Sequence, residues 1–288
     1  MPIVGRFDTK SVNNSSKSTT SKSVEFPCQY IAPPRLPHGF SCLDVGTVQR
    51  DICARATITD IQNGSAVYRV TTWNNTILEN AIVSSLNLAP ADVDFLTGEH
   101  CLTSTDHVPP LQAASVRINF ERRFITCPKV VVFFNLLDIA YPYHGQPHPN
   151  ARVRLSITAS EIDPGGFSLT FEWSDATILR RCQACWIAYP ADREHIISAS
   201  VNIINLPRAL PERPQVKYNQ AIYFSNDVAF WKIPNVFVAL NMLEFDWKER
   251  LRINAYVDGV TMSGLTCHVE TEADNCLRCV GATVIAVN

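Results

Sequence analysis

The sequence predicts an all-β protein: three tandem six-stranded antiparallel β-sandwiches in one chain. Three observations predict it. One frame of residues recurs three times at fixed offsets, each recurrence alternates apolar and polar residues, and turn-forming residues close the alternating runs.

The frame starts with Leu43-Asp44-Val45, which returns as Leu137-Asp138-Ile139 and Leu243-Glu244-Phe245. Nine residues before each Leu stands a proline, Pro34, Pro128 and Pro234, and four before each proline an aromatic, Tyr30, Phe124 and Phe230. The next segment alternates. Val153, Leu155, Ile157 and Ala159 interleave with Arg152, Arg154, Ser156 and Thr158, and Leu251, Ile253, Ala255 and Val257 with Arg250, Arg252, Asn254 and Tyr256. The first copy sets Ile52, Ala54, Ala56 and Ile58 against Cys53, Arg55 and Thr57. A strand with one face in a core and one in solvent reads this way. Turns follow at Asn63-Gly64, Pro164-Gly165-Gly166 and Ser263-Gly264. In the last strand Cys182, Ala184, Trp186 and Ala188 share a face, as do Val280, Ala282, Val284 and Ala286; Ala81, Val83, Ser85 and Asn87 are a more polar version. The landmarks Pro90-Ala91-Asp92 and Pro190-Ala191-Asp192 place the domains at 1–92, 93–192 and 193–288, with 1–22 expected to be flexible.

Composition narrows the function. The formal net charge is −2 and no Lys/Arg stripe is visible, which argues against nucleic acid as a partner. No apolar run approaches the roughly 20 residues of a membrane helix. Met1 to Lys22 is polar and lacks the apolar run of a secretory signal, so a cytoplasmic protein, or one released by a non-classical route, is expected. Reduced thiols are then the plainer state of the ten cysteines, and the sequons at Asn13, Asn63 and Asn74 carry little weight. Cys182/Cys185 and Cys276/Cys279 are CxxC pairs, but on a strand residues three apart point to opposite faces and do not chelate one ion, so no metal is expected. His144 and His148 lie four apart on a loop with no third ligand evident. No nucleophile elbow, phosphate loop or dinucleotide fingerprint is present, so no catalytic residue and no cofactor is assigned.

The second copy carries a recognisable order of motifs: Ile118-Asn119-Phe120, Phe124, Pro128, Leu137-Asp138-Ile139, Asn150-Ala151-Arg152-Val153, Gly166-Phe167, Trp173-Ser174-Asp175, Thr177-Ile178-Leu179 and Trp186-Ile187-Ala188. This order resembles the H-type lectin domain, nearly throughout copy two, over most of copy three and more loosely in copy one. The resemblance implies a six-stranded antiparallel sandwich that forms trimers and binds galactose or N-acetylgalactosamine near subunit interfaces. It implies as ligands an Arg on the strand after the Leu-Asp motif, a Trp-x-Asn/Asp-Thr loop, and an aromatic shortly after that loop. Carried over, the Arg is Arg154 or its rival Arg152 in copy two and Arg252 in copy three, whereas copy one has Cys53. The loop is Trp73-Asn74-Asn75-Thr76 in copy one and Trp173 to Thr177, with Asp175, in copy two. Copy three offers Glu272 and Asp274 and lacks the Trp. Glu79, Arg180 and Arg278 stand where the aromatic would be, so the identity of the sugar does not transfer.

The residue types suit a sugar. Arg is a rigid fork of donors and Asp a two-oxygen acceptor, which together fix adjacent hydroxyls, and an aromatic covers the apolar face of the ring. Each residue also has a plainer reading: a solvated strand face for Arg152 and Arg154, a core aromatic for Trp173, a turn residue for Asp175. For Asp138 and its counterparts a structural carboxylate is favoured over a ligand. A single shallow site binds at about millimolar strength, and linking sites raises avidity by roughly 10² or more. Three copies folded around a pseudo-threefold axis within one chain, self-associated and open to higher oligomers, with glycans or glycoproteins as partners, is the expected arrangement. A non-catalytic structural or protein-interaction module is the second reading; a glycoside-acting enzyme, which needs two carboxylates across a cleft, is the third.

Overall fold

The structure, a computed structural model, describes residues 2–12, 18–46, 50–103, 113–141, 152–174, 177–203, 215–224, 230–246, 250–272 and 277–288. Among the described residues it is all-β, with a single 3-10 turn at Thr9–Ser11. The eighteen strands fall into three successive sets of six. The first is β1 (Ile3–Asp8), β2 (Thr19–Glu25), β3 (His38–Gly46), β4 (Ile52–Thr59), β5 (Ser65–Thr72) and β6 (Ile77–Asn87). The second is β7 (Leu96–Thr103), β8 (Ala113–Asn119), β9 (Pro128–Ala140), β10 (Arg152–Asp163), β11 (Gly166–Trp173) and β12 (Ile178–Pro190). The third is β13 (Ile196–Ile203), β14 (Gln215–Tyr223), β15 (Asn235–Asp246), β16 (Leu251–Asp258), β17 (Gly264–Glu272) and β18 (Leu277–Val287).

No sheet belongs to one set. The three six-stranded sheets run β1-β6-β3-β16-β17-β14, β2-β5-β4-β9-β12-β7 and β13-β18-β15-β10-β11-β8, antiparallel throughout. In every set the first, third and sixth strands lie in one sheet and the second, fourth and fifth in another. The third strand of each set then pairs with the fourth strand of a different set. The junctions are β3–β16, β9–β4 and β15–β10, so the exchange closes in a ring with pseudo-threefold symmetry. The registers agree: Asp44 faces Arg252, Asp138 faces Cys53 and Glu244 faces Arg154. Bulges recur at the same places. The third strand skips Ser41, Asn135 or Asn241 against the sixth, and the sixth skips Glu79, Arg180 or Arg278 against the third. The second bulge lies beside the junction, where an extra residue re-aims side chains.

Alternation sorts the side chains into two kinds of core. Cys182, Ala184, Trp186 and Ala188 join the sandwich core, as do Val280, Ala282, Val284 and Ala286. The intervening Cys185, Ile187, Tyr189, Ile285 and Val287 join a second core with Leu86, Leu88, Phe133, Phe237 and Ala239, drawn from all three sets. Cys182 and Cys185 therefore lie in different cores, and burial pushes the thiol of each upward in pKa. In the first set Ser85 and Asn87 are as buried as their apolar counterparts and share a chain of hydrogen bonds: the Tyr68 hydroxyl lies 2.5 Å from Ser85 Oγ, which donates to Asn87 Oδ1 at 2.9 Å. Residues 1–22, expected to be flexible, contain β1 and the start of β2. β1 pairs along β6 over six residues and buries Phe7 against Tyr68.

The second core is tightest where Gly39, Phe133 and Ala239 meet. They occupy one register position of the three third strands. A Cβ on Gly39 would stand 2.6 Å from the Phe133 ring, 2.9 Å from the Phe134 carbonyl oxygen and 3.1 Å from Ala239 Cβ. One ring fills the space that two small residues leave. Replacing Phe133 by Ala is expected to cost about 3–5 kcal/mol of unfolding free energy, and chemical denaturation checks it; a loss below about 1 kcal/mol would mean that the axis is loosely packed.

Candidate functional site

Of the predicted site residues, Arg152, Arg154, Arg180, Arg252, Trp73 and Asn74 lie at the three sheet junctions, and the junctions differ. At β15–β10 the site stands at the start of β10, because the loop after β11 folds back onto it. Ser174 Oγ donates to the Arg152 carbonyl at 2.7 Å, Ser174 N to the Arg154 carbonyl at 3.1 Å, and Thr177 Oγ1 accepts from Arg154 N at 3.1 Å. Arg152 Nη1 lies 3.3 Å from Glu244 Oε1 across the junction, with its side chain 53% exposed, so a face of the guanidinium remains for a ligand. Arg154 points into solvent, and its side chain meets no carboxylate among the described residues. Trp173 pairs with Leu155 and is half-buried against the sandwich core, on the face of the sheet opposite Arg154, which fits the core reading. Arg278 at the bulge forms a two-pronged pair with Asp246, at 2.8 and 2.6 Å. Asp175 lies outside the described residues, as do His144 and His148.

At β3–β16 the arginines are engaged. Arg250 clasps Asp44 with Nε and Nη2 at 2.5 and 2.8 Å, and Arg252 Nε stands 3.7 Å from the same carboxylate, which is only 1% exposed. Glu272 ends β17, its side chain outside the described residues, and Asp274 also lies outside them.

At β9–β4 the charges are inverted. Asp51 stands where the other sets have Arg152 and Arg250, and Arg180 reaches across from the second set to meet it at 2.8 Å while binding Asp138 at 2.7 Å. Arg181 supports Asp138 at 2.9 Å and lays its guanidinium 5.2 Å from the Trp73 ring centroid. Asn74 takes a left-handed backbone, φ +55°, and donates to Asp51 at 3.1 Å; Asn75 accepts from Asp51 N at 2.8 Å. Cys53, read as solvent-facing, is instead fully buried, because it sits under this network 3.5 Å from Asp138. Burial pushes its thiol up to about 11. Burial would also raise the Asp51 carboxyl, but the Tyr141 N–H, Arg180 and Asn74 together bring it below its usual range.

Asp138, Asp44 and Glu244 are thus arginine-bound structural carboxylates, as favoured from the sequence. Asp51 and Arg181 were not singled out there. The signal was present, an acid in the first copy where the others carry Arg, but its partner became visible only through the pairing of β4 with β9.

Two measurements test the inverted junction. Arg180→Leu leaves Asp138 and Asp51 short of a partner and is expected to cost about 1–3 kcal/mol, between an exposed and a buried ion pair. The lowered carboxyl of Asp51 contributes stability above the ordinary Asp value and loses it as pH falls through the depressed value. Asp51→Asn is therefore expected to flatten the acid side of a stability–pH profile, and an unchanged slope would contradict this.

No curated protein matches the chain. A family model for the H-type lectin domain matches residues 115–189 and 219–287, together half of the chain.

Proposed function

We propose, from the premise that this chain belongs to the H-type lectin domain family, that it is a multivalent lectin for glycans ending in galactose or N-acetylgalactosamine. The family is one of non-catalytic, carbohydrate-binding domains. The observation that carries the finer reading is the β15–β10 junction. There Arg152 and Arg154 both present guanidinium surface next to a turn that Ser174 and Thr177 pin to their backbone. That set offers fixed donors for adjacent hydroxyls.

The first set, 1–92, is proposed as a third, divergent lectin domain beside 93–192 and 193–288, since its strand order, junction register and both bulges repeat those of the other two. The β9–β4 junction, with Trp73 under Arg181 and Asn74 beside Asp51, supports a second site of different preference. The β3–β16 junction, whose arginines are held by Asp44, supports the weakest.

A glycan array on the intact chain tests the reading. Binding to galactose-terminated or N-acetylgalactosamine-terminated glycans is expected, with a loss of about tenfold or more in Arg154→Ala and in Arg152→Ala, the size of one charged hydrogen bond. A blank array would favour a protein-interaction module. Light scattering after size exclusion is expected to give the mass of one chain; a species of three chains would contradict a ring closed within one molecule.

A further inference from the structure

Each junction opens into a crevice where the paired strands part. The last paired residues are Ser156 with Met242, Arg55 with Leu136 and Asn254 with Cys42, which are equivalent positions. At β9–β4 the crevice is filled. Glu99 accepts from Asn135 Nδ2 at 2.7 Å and from Gln183 Nε2, and His38 closes in 4.0 Å from Glu99. At β15–β10 the same register positions hold Ser200 for Glu99, Gly281 for Gln183 and Val132 for His38. The smaller residues leave a cavity of about 280 Å³, with Arg154 and Glu172 on one wall and Asn202 and Asn241 on the other.

The cavity has an unused acceptor. Thr283 Oγ1 donates its hydrogen to the Val132 carbonyl at 3.0 Å, so it accepts from Asn241 Nδ2 at 3.1 Å. This fixes the Asn241 carboxamide. Its Oδ1 is buried without a donor, in a residue 8% exposed. That oxygen and Asn202 Oδ1 converge over Gly281: a Cβ placed there would lie 2.3 Å from one and 2.9 Å from the other. Two converging acceptors call for a donor between them, and an unsatisfied buried oxygen is costly. Arg154 supplies donors opposite and the Glu172 carboxylate a further acceptor. A group that both donates and accepts from several directions within a small volume is a polyhydroxylated ring.

We infer that the β15–β10 crevice is a second saccharide subsite, which holds the penultimate ring of a glycan whose terminal ring lies at Arg152 and the turn pinned by Ser174 and Thr177. It rests on the carbohydrate-binding reading above. Arg154 borders both rings, and the open crevice makes this junction selective for disaccharides and longer glycans.

NMR titration of the intact chain with methyl β-galactoside and with lactose tests it. Lactose is expected to move the side-chain amide signals of Asn241 and Asn202 and to bind about tenfold more tightly than the single ring, as two recovered hydrogen bonds would give. Ser200→Tyr, at an exposed position on the crevice wall, is expected to remove that advantage. Shifts confined to Arg152–Arg154 and Ser174–Thr177, with equal affinity for the two sugars, would overturn the subsite and leave the lectin reading standing. No shift with either sugar would overturn both.

Discussion

Three β-strands approach a common axis closely only if the residues that meet there have complementary sizes. In a symmetric assembly of identical chains the same residue would appear three times at each level. Here one level holds Gly39, Phe133 and Ala239, so a single ring occupies a space that three rings would overfill and three small residues would leave empty. The cyclic exchange of strands around this axis makes each sheet a joint product of two sets. Removing one set would expose the junction edges of the other two, with unpaired backbone groups and apolar surface.

The same freedom from symmetry shows in the charges. Each junction needs a cation for the buried carboxylate on its third strand. Two junctions take it from the N-terminal end of the fourth strand across the boundary, Arg152 opening β10 for Glu244 and Arg250 just preceding β16 for Asp44. The other takes it from the sixth strand of the same set and places a second acid, Asp51, across the boundary instead. A reversed pair keeps the junction neutral while changing what faces the solvent. One frame thereby presents three different surfaces: accessible arginines at β15–β10, clasped arginines at β3–β16, and an Asp–Asn–Trp group under two arginines at β9–β4.

The bulges connect this to function. Glu79, Arg180 and Arg278 are each the extra residue on the sixth strand, beside the junction. A bulged residue is freed from the ladder, so its side chain reaches sideways rather than stacking with its neighbours. That is why Arg180 bridges two carboxylates from different sets, and why the aromatic expected at this position is dispensable to the fold.

Much of this was legible in the chain. Period-two alternation separates the faces of β10, β16 and β18, because a strand turns successive side chains to opposite sides, and the recurring Tyr/Phe, Pro and Leu-Asp frame marks the same third strand three times, with Pro34, Pro128 and Pro234 all buried. The arginines of β10 and β16 and the Trp73 loop were identifiable as a group for the same local reason. What the tertiary structure alone decided is which set supplies the partner. Alternation marks a buried face without saying whose surface buries it, so Cys53 read as exposed until β9 and Arg180 covered it. Likewise Ser200 and Gly281 are unremarkable on their own strands, and they define a cavity only because β13, β15 and β18 of one set stand against β9 and β10 of another.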